Sequence, residues 1–135
     1  MHYMVIGASV FILISLALAW LATAVRIMQI PTLKQRFPSG DHIVKGHIDF
    51  LLMALLLMGF FLLARAYDIT YPAWAVWFMI VGGFTNSFTF IIVAMHVPEN
   101  FKPGPLFAVG TTASFVITTL GFGAASVMLL LAELS

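Results

Sequence analysis

The chain has 135 residues, of which 62% are hydrophobic and 8% are charged, and its mean hydropathy is +1.09. Because so few polar residues cannot cover a water-soluble globule of this size, the composition excludes a soluble domain and predicts an integral membrane protein. The formal net charge of +1, with no run of basic residues, excludes nucleic acid as a partner. The chain has no cysteine, which excludes disulfides, thiolate nucleophiles and cysteine-held metals.

Four apolar stretches are each long enough to cross about 30 Å of hydrocarbon as an α-helix. They cover residues 4–27, 43–63, 74–95 and 106–131. The sequence therefore predicts an all-α fold, an integral membrane four-helix bundle in which residues 1–135 form a single transmembrane domain. The lipid bilayer is its first expected partner.

The charges are distributed unevenly between the predicted loops. In a four-span topology loops one and three lie on the same side of the membrane, and they hold five of the six Lys and Arg residues: Arg26, Lys34, Arg36, Lys45 and Lys102. The positive-inside bias predicts that this side is cytoplasmic and that both termini face the other compartment. We expect the membrane to be a bacterial inner membrane.

A strip of small residues runs along the fourth span. Gly110, Ser114 and Thr118 are spaced four apart, and Gly121 with Ala125 repeats the spacing. Small residues let helix backbones approach closely in lipid. The strip predicts either packing within the bundle or a contact with another subunit or a cofactor.

His47 lies about one helical turn inside the second span and is the leading candidate for chemistry. Ionisable side chains are costly in hydrocarbon, so their presence there points to a function. A neutral imidazole is a strong ligand for iron, copper or zinc. The alternative is an interfacial histidine that is hydrogen-bonded to a loop carbonyl.

Asp49 lies in the same span, about 200° around the helix from His47, so the two do not form a dyad on one helix. Lys45 precedes Asp49 by four residues, which favours an ion pair at the membrane edge. The alternatives are an acid that faces a neighbouring helix or subunit, or one that orients another residue.

Asn86 falls near the middle of the third span, where an unpaired amide is costly, so it must be hydrogen-bonded. Its partner is either another helix or a substrate, cofactor or water. Because spans two and three are antiparallel, Asn86 should lie about 8 Å deeper than His47, within reach of one haem-sized ligand. His96, at the end of this span, is expected to be an interfacial, solvated histidine.

Two features together resemble a known family. A histidine that opens span two after a basic loop, and the sequence Gly83-Phe84-Thr85-Asn86 inside span three, are similar to the small four-helix membrane family of styrene oxide isomerase and hydroxylaminobenzene mutase. The resemblance covers most of the chain in length, span order and loop sizes. It departs at Met53 and Ile91, where the isomerase has an asparagine and a tyrosine, so polar groups would have to come from Asp49 or Tyr3.

The resemblance implies a homotrimer that holds haem b, with His47 as the axial ligand and Asn86 as the matching asparagine of span three. We expect Asn86 and Asp49 to be the catalytic residues, with Asp49 supplying a polar group where the chain departs from the family. Ferric iron would act as a Lewis acid on a small hydrophobic substrate such as an aryl epoxide, which rearranges to an aldehyde with no net redox change. The phenylalanines and Trp77 would line an apolar pocket that keeps water from a cationic intermediate.

Three alternatives remain open. The first is an arylhydroxylamine mutase of the same family. The second is a non-catalytic electron-transfer or sensor subunit, in which His96 or a methionine closes the haem iron. The third is a transporter or assembly subunit without a cofactor.

Overall fold

The computed structural model describes residues 1–134 and confirms the predicted all-α class, with 84% of the chain helical. The elements are α1 (His2–Arg26), α2 (Pro31–Arg36), α3 (Gly40–Ala66), α4 (Ala73–Ala94), a 3₁₀ turn (Pro98–Asn100) and α5 (Pro105–Leu134). The four long helices are each long and apolar enough to cross a membrane, and they coincide with the four predicted spans. The short helix α2 lies in the first loop and was not predicted.

The long helices pack in a row. Helix α1 packs against α3, α3 against α4, and α4 against α5, with smaller contacts between α1 and α4 and between α3 and α5. The α3–α5 contact includes the rings of Phe60 and Phe122, whose centroids are 5.5 Å apart. Helix α5 lies at the edge of the row and buries only three residues of its 30: Ser114, Gly121 and Ala125.

The face of α1 that is buried follows a seven-residue repeat. Its members, spaced alternately by four and three, are Met4, Ala8, Phe11, Ser15, Leu18, Ala22 and Val25, with Gly7 buried beside them. On α3, Ile43, Phe50, Leu57 and Ala64 recur every seven residues and are also buried. This spacing is typical of helices that cross at a shallow angle with interlocking side chains. The two helices are antiparallel, since Ser15 contacts His47 and Phe11 contacts Phe50.

Helices α4 and α5 approach so closely that their backbones are in contact. A Cβ atom placed on Gly82 would lie 2.7 Å from the backbone nitrogen of Thr118, and one on Gly121 would lie 2.6 Å from that of Met79. The small-residue strip thus packs within the bundle, which is the first of its two predicted roles. Gly110 differs, because a Cβ there would meet nothing within 4 Å.

Aromatic residues gather at the end of the bundle where α3 ends and α4 begins. The rings of Tyr3 and Trp77 lie 5.4 Å apart, and Trp74 is half exposed one turn earlier on α4. This is the arrangement of an interfacial aromatic belt.

Tyr67, just beyond the end of α3, contacts Glu133 near the end of α5. The Glu133 carboxylate accepts the hydrogen bond of the Tyr67 hydroxyl and repels the Tyr67 anion, so the pKa of Tyr67 is raised above its ordinary value.

Candidate functional site

His47 is held by α1 through a reciprocal pair of hydrogen bonds. Its Nδ1 lies 2.8 Å from the carbonyl oxygen of Ser15 and 2.8 Å from the Ser15 hydroxyl, and that hydroxyl donates to the His47 carbonyl at 3.0 Å. A carbonyl oxygen can only accept, so Nδ1 carries the proton. In the neutral imidazole, the other ring nitrogen, Nε2, then has the lone pair.

The Nε2 atom of His47 has no hydrogen-bond partner in residues 1–134. It is not enclosed either, because within this part of the chain the only enclosed side-chain nitrogen or oxygen without a partner is Thr111 Oγ1. Nε2 is therefore at least partly accessible, and His47 lies about 10 Å along α3 from Gly40. The alternative of a histidine bonded to a loop carbonyl is confirmed in the backbone carbonyl partner and wrong in its place, because that carbonyl belongs to the middle of α1.

Asp49 faces α4, where two side chains donate to the same carboxylate oxygen. The Ser87 hydroxyl lies 2.7 Å from Oδ2 and the Asn86 Nδ2 lies 3.2 Å from it. The predicted hydrogen bond of Asn86 to another helix is confirmed. The predicted ion pair between Lys45 and Asp49 is wrong, since the ion pair found within residues 1–134 joins Arg26 and Asp41 at 3.5 Å.

The side chains of His47 and Asp49 lie on opposite flanks of α3. His47 contacts α1, whereas Asp49 and its donor Asn86 lie at the interface with α4. This agrees with the separation expected for residues two apart on a helix. Within one chain, the candidate ligand and the candidate catalytic residues therefore form two separate polar contacts. The ring of Phe50, the residue after Asp49, packs between Phe11 of α1 and Phe84 of α4.

The two positions that depart from the isomerase pattern have apolar packing roles. A Cβ on Gly83 would lie 3.5 Å from Met53 Sδ, and one on Gly46 would lie 2.9 Å from Ile91 Cδ1. Both residues fill space beside glycines where α3 meets α4. The polar groups of this interface are Asp49 and its donors instead.

An apolar groove of about 390 Å³ lies between α1 and α4. Its lining includes Tyr3 and Trp77 near the aromatic end, and Phe11 and Phe84, whose centroids are 6.4 Å apart, at the other. Trp77 and phenylalanine side chains were predicted to line an apolar pocket, and they line this groove. Ser15 follows Phe11 by one turn, so the groove ends about one turn from the His47 contact.

Two of the other histidines, His96 and His42, are engaged at the ends of helices. The Nδ1 of His96 lies 2.8 Å from the carbonyl of Ile92, and its ring is 5.0 Å from that of Phe101. The Nδ1 of His42 lies 2.6 Å from the Ser39 hydroxyl. His96 is exposed, as predicted for an interfacial histidine.

A metal ion held by protein side chains alone does not fit the described chain. Among residues 1–134, no group of three or more His, Asp or Glu side chains lies close enough to hold an ion. A haem makes a smaller demand, because the porphyrin supplies four nitrogens and the protein needs to supply one axial ligand. A neutral histidine with Nδ1 bonded to a carbonyl and Nε2 free fits that role.

Comparison with known proteins gave no match: no protein-family model, curated protein or solved structure is similar to this chain.

Proposed function

We propose that this protein is a membrane-embedded isomerase that holds haem b through His47 and rearranges a small apolar substrate, such as an aryl epoxide. The observation that carries the proposal is the orientation of His47. Its Nδ1–H is bonded to the Ser15 carbonyl, and its Nε2 is not enclosed and has no hydrogen-bond partner in residues 1–134. An unpaired imidazole nitrogen within a membrane-spanning helix is unfavourable unless something binds it.

Ferric haem, when bound, supplies a Lewis acid for an epoxide oxygen. The residues of this chain orient the haem ligand and bind the substrate. Ser15 fixes the ring of His47 and keeps the proton on Nδ1, so that Nε2 stays a ligand. The groove beside Phe11 and Trp77 has the volume and the apolar lining to bind a single-ring substrate and to exclude water from it.

Asp49 and Asn86 are the polar residues that we propose to contact the substrate or its product. Asp49 already accepts from Ser87 and Asn86, and its second oxygen has no partner in the described chain. Because this contact and His47 lie on opposite flanks of α3, we propose that an oligomer brings them to one ligand. The homotrimer that the resemblance implies is therefore part of the proposal, as is a bacterial inner membrane with loops one and three in the cytoplasm.

The test is the absorption spectrum of the detergent-purified protein. Wild type is expected to show a Soret band, His47→Ala to lose it while remaining folded, and His96→Ala, the matched control, to keep it. Addition of azide to the ferric protein should shift the band, because the isomerase needs an open coordination position. Conversion of an aryl epoxide to its aldehyde should then be lost in His47→Ala.

Three outcomes would refute all or part of this proposal. If His47→Ala retains haem, another residue is the axial ligand and the role assigned to His47 is wrong. A spectrum that azide does not change, in a protein without isomerase activity, favours the electron-transfer or sensor alternative instead. If purified wild type shows no Soret band, the alternative of a transporter or assembly subunit without a cofactor is favoured.

A further inference from the structure

Two neighbouring cavities lie at the membrane edge where α1 ends and α3 begins, away from the residues of the proposed function. The first, of about 320 Å³, has a largely polar lining that includes Arg26 and Lys34, with Asp41 beside them. The second, of about 410 Å³, is mainly apolar and runs between Ala22 on α1 and Val44 on α3. Arg26 lines both cavities, so they meet at its side chain.

The charge of the first cavity is positive. Arg26 and Lys34 together outweigh Asp41, and the Arg26–Asp41 contact is long, at 3.5 Å, between side chains that are 51% and 77% exposed. An exposed pair of this kind is weak, so it leaves Arg26 able to bind another anion. Lys34 has no acidic partner among residues 1–134.

Gly40 determines where Arg26 lies. A Cβ atom on Gly40 would be 2.7 Å from Arg26 Cγ and 3.2 Å from its Cδ. The missing side chain therefore lets the aliphatic part of Arg26 lie across the start of α3, between the two cavities. Ile27, the next residue, is 78% exposed and offers an apolar surface at the same depth.

We propose that the two cavities together bind one anionic phospholipid. Arg26 and Lys34 bind the phosphate in the polar cavity, and an acyl chain lies in the groove between Ala22 and Val44. A free phosphate ion shares the headgroup chemistry but leaves the apolar groove empty, which is why the pair of cavities favours a lipid. Each cation near an anionic headgroup strengthens binding about fivefold.

The test is native mass spectrometry of the full chain, titrated with phosphatidylglycerol or with phosphatidylcholine of the same chain length. Wild type should prefer phosphatidylglycerol. Arg26→Gln/Lys34→Gln should weaken that binding about 25-fold, by removing two cations. The control Arg36→Gln/Lys45→Gln removes the same charge from exposed residues outside both cavities. An equal loss in both double variants overturns the proposal, because it indicates general attraction to the membrane surface.

Two further arms distinguish a bound lipid from a bound phosphate ion. Val44→Phe fills the apolar groove without changing any charge, so it should weaken phosphatidylglycerol binding, and unchanged binding contradicts the acyl-chain site. Inorganic phosphate should not displace the lipid from wild type. If it does so as effectively as short-chain phosphatidylglycerol, the site takes the phosphate alone and the proposal is wrong. Asp41→Asn should bind the lipid at least as tightly as wild type.

Discussion

Alanine in place of Gly82 or Gly121 should force α4 and α5 apart. The new Cβ at position 82 would lie 2.5 Å from Thr118 Oγ1, 2.7 Å from its nitrogen and 2.8 Å from its Cα. The one at position 121 would lie 2.6 Å from the nitrogen of Met79. The nitrogen and Cα atoms belong to the backbone and no rotamer change can move them, so the helices themselves must separate.

The expected cost follows from two opposing effects. Inserting a methyl group into a packed interface costs about 1–3 kcal/mol, and the upper part of that range applies where the obstacle is backbone. Alanine also stabilises a helix interior by about 1 kcal/mol relative to glycine. Each variant should therefore lose about 2 kcal/mol of unfolding free energy, with the double variant losing less than the sum because one displacement relieves both contacts.

The matched controls are Gly110→Ala and Gly123→Ala on α5, the helix of Gly121, where a Cβ meets nothing within 4 Å. These should gain up to about 1 kcal/mol from helix propensity. The measurement is unfolding in detergent, followed by circular dichroism. The reasoning is refuted if alanine has the same sign of effect at Gly82 and Gly110, since the predicted difference rests on the α4–α5 contact alone.

Three further predictions concern polar contacts. Ser15→Ala should lower the unfolding free energy by about 1–2 kcal/mol, because it removes the hydroxyl that donates to the His47 carbonyl and contacts His47 Nδ1. Ser87→Ala should cost about 1–3 kcal/mol, because it removes the shorter of the two bonds to a carboxylate within the span, and both effects are measured by unfolding in detergent. The raised pKa of Tyr67 means that its contribution to stability is present below its ordinary pKa and is lost as pH rises through the folded value. Glu133→Gln should lower that pKa towards its ordinary value, as measured by alkaline absorbance titration against Tyr67→Phe.

Ser126→Ala is the matched control for both serine variants. Its hydroxyl donates only to the carbonyl of Phe122 in its own helix, at 2.8 Å, and it is exposed. It should change stability by less than about 0.5 kcal/mol. A loss at Ser126 as large as that at Ser15 or Ser87 contradicts the importance assigned to the bonds between helices.

The number and position of the spanning helices could be predicted from length and hydropathy, but their packing could not. In α1 the lipid-facing residues Leu13 and Leu16 are as apolar as the buried Phe11 and Leu18, so hydrophobic periodicity gives no contrast between faces. The contrast lies in side-chain size instead. Ala8, Ser15 and Ala22 recur every seven residues on the buried face, and that repeat of small residues was the signal available in the sequence.

Only part of the candidate site could be predicted from the sequence, again because the packing between helices could not. The amide of Asn86, within an apolar span, needed a hydrogen-bond partner. Which residue is that partner depended on how α4 is rotated against α3. The spacing of Lys45 and Asp49 suits an ion pair on one helix, yet Lys45 is exposed and Asp49 turns to the donors of α4. Ser15 was missed as the partner of His47, although a serine in the middle of an apolar span also needs a hydrogen bond.

The row of long helices follows their order along the chain, and this bears on how the protein is made. As each span leaves the ribosome and the translocon, the helix that it packs against is already in the membrane, so assembly can proceed hairpin by hairpin. Few contacts join long helices that are not neighbours in this order, which favours rapid folding. Synthesis order and spatial order thus coincide, and α5 docks last onto α4, where glycines leave room for its backbone.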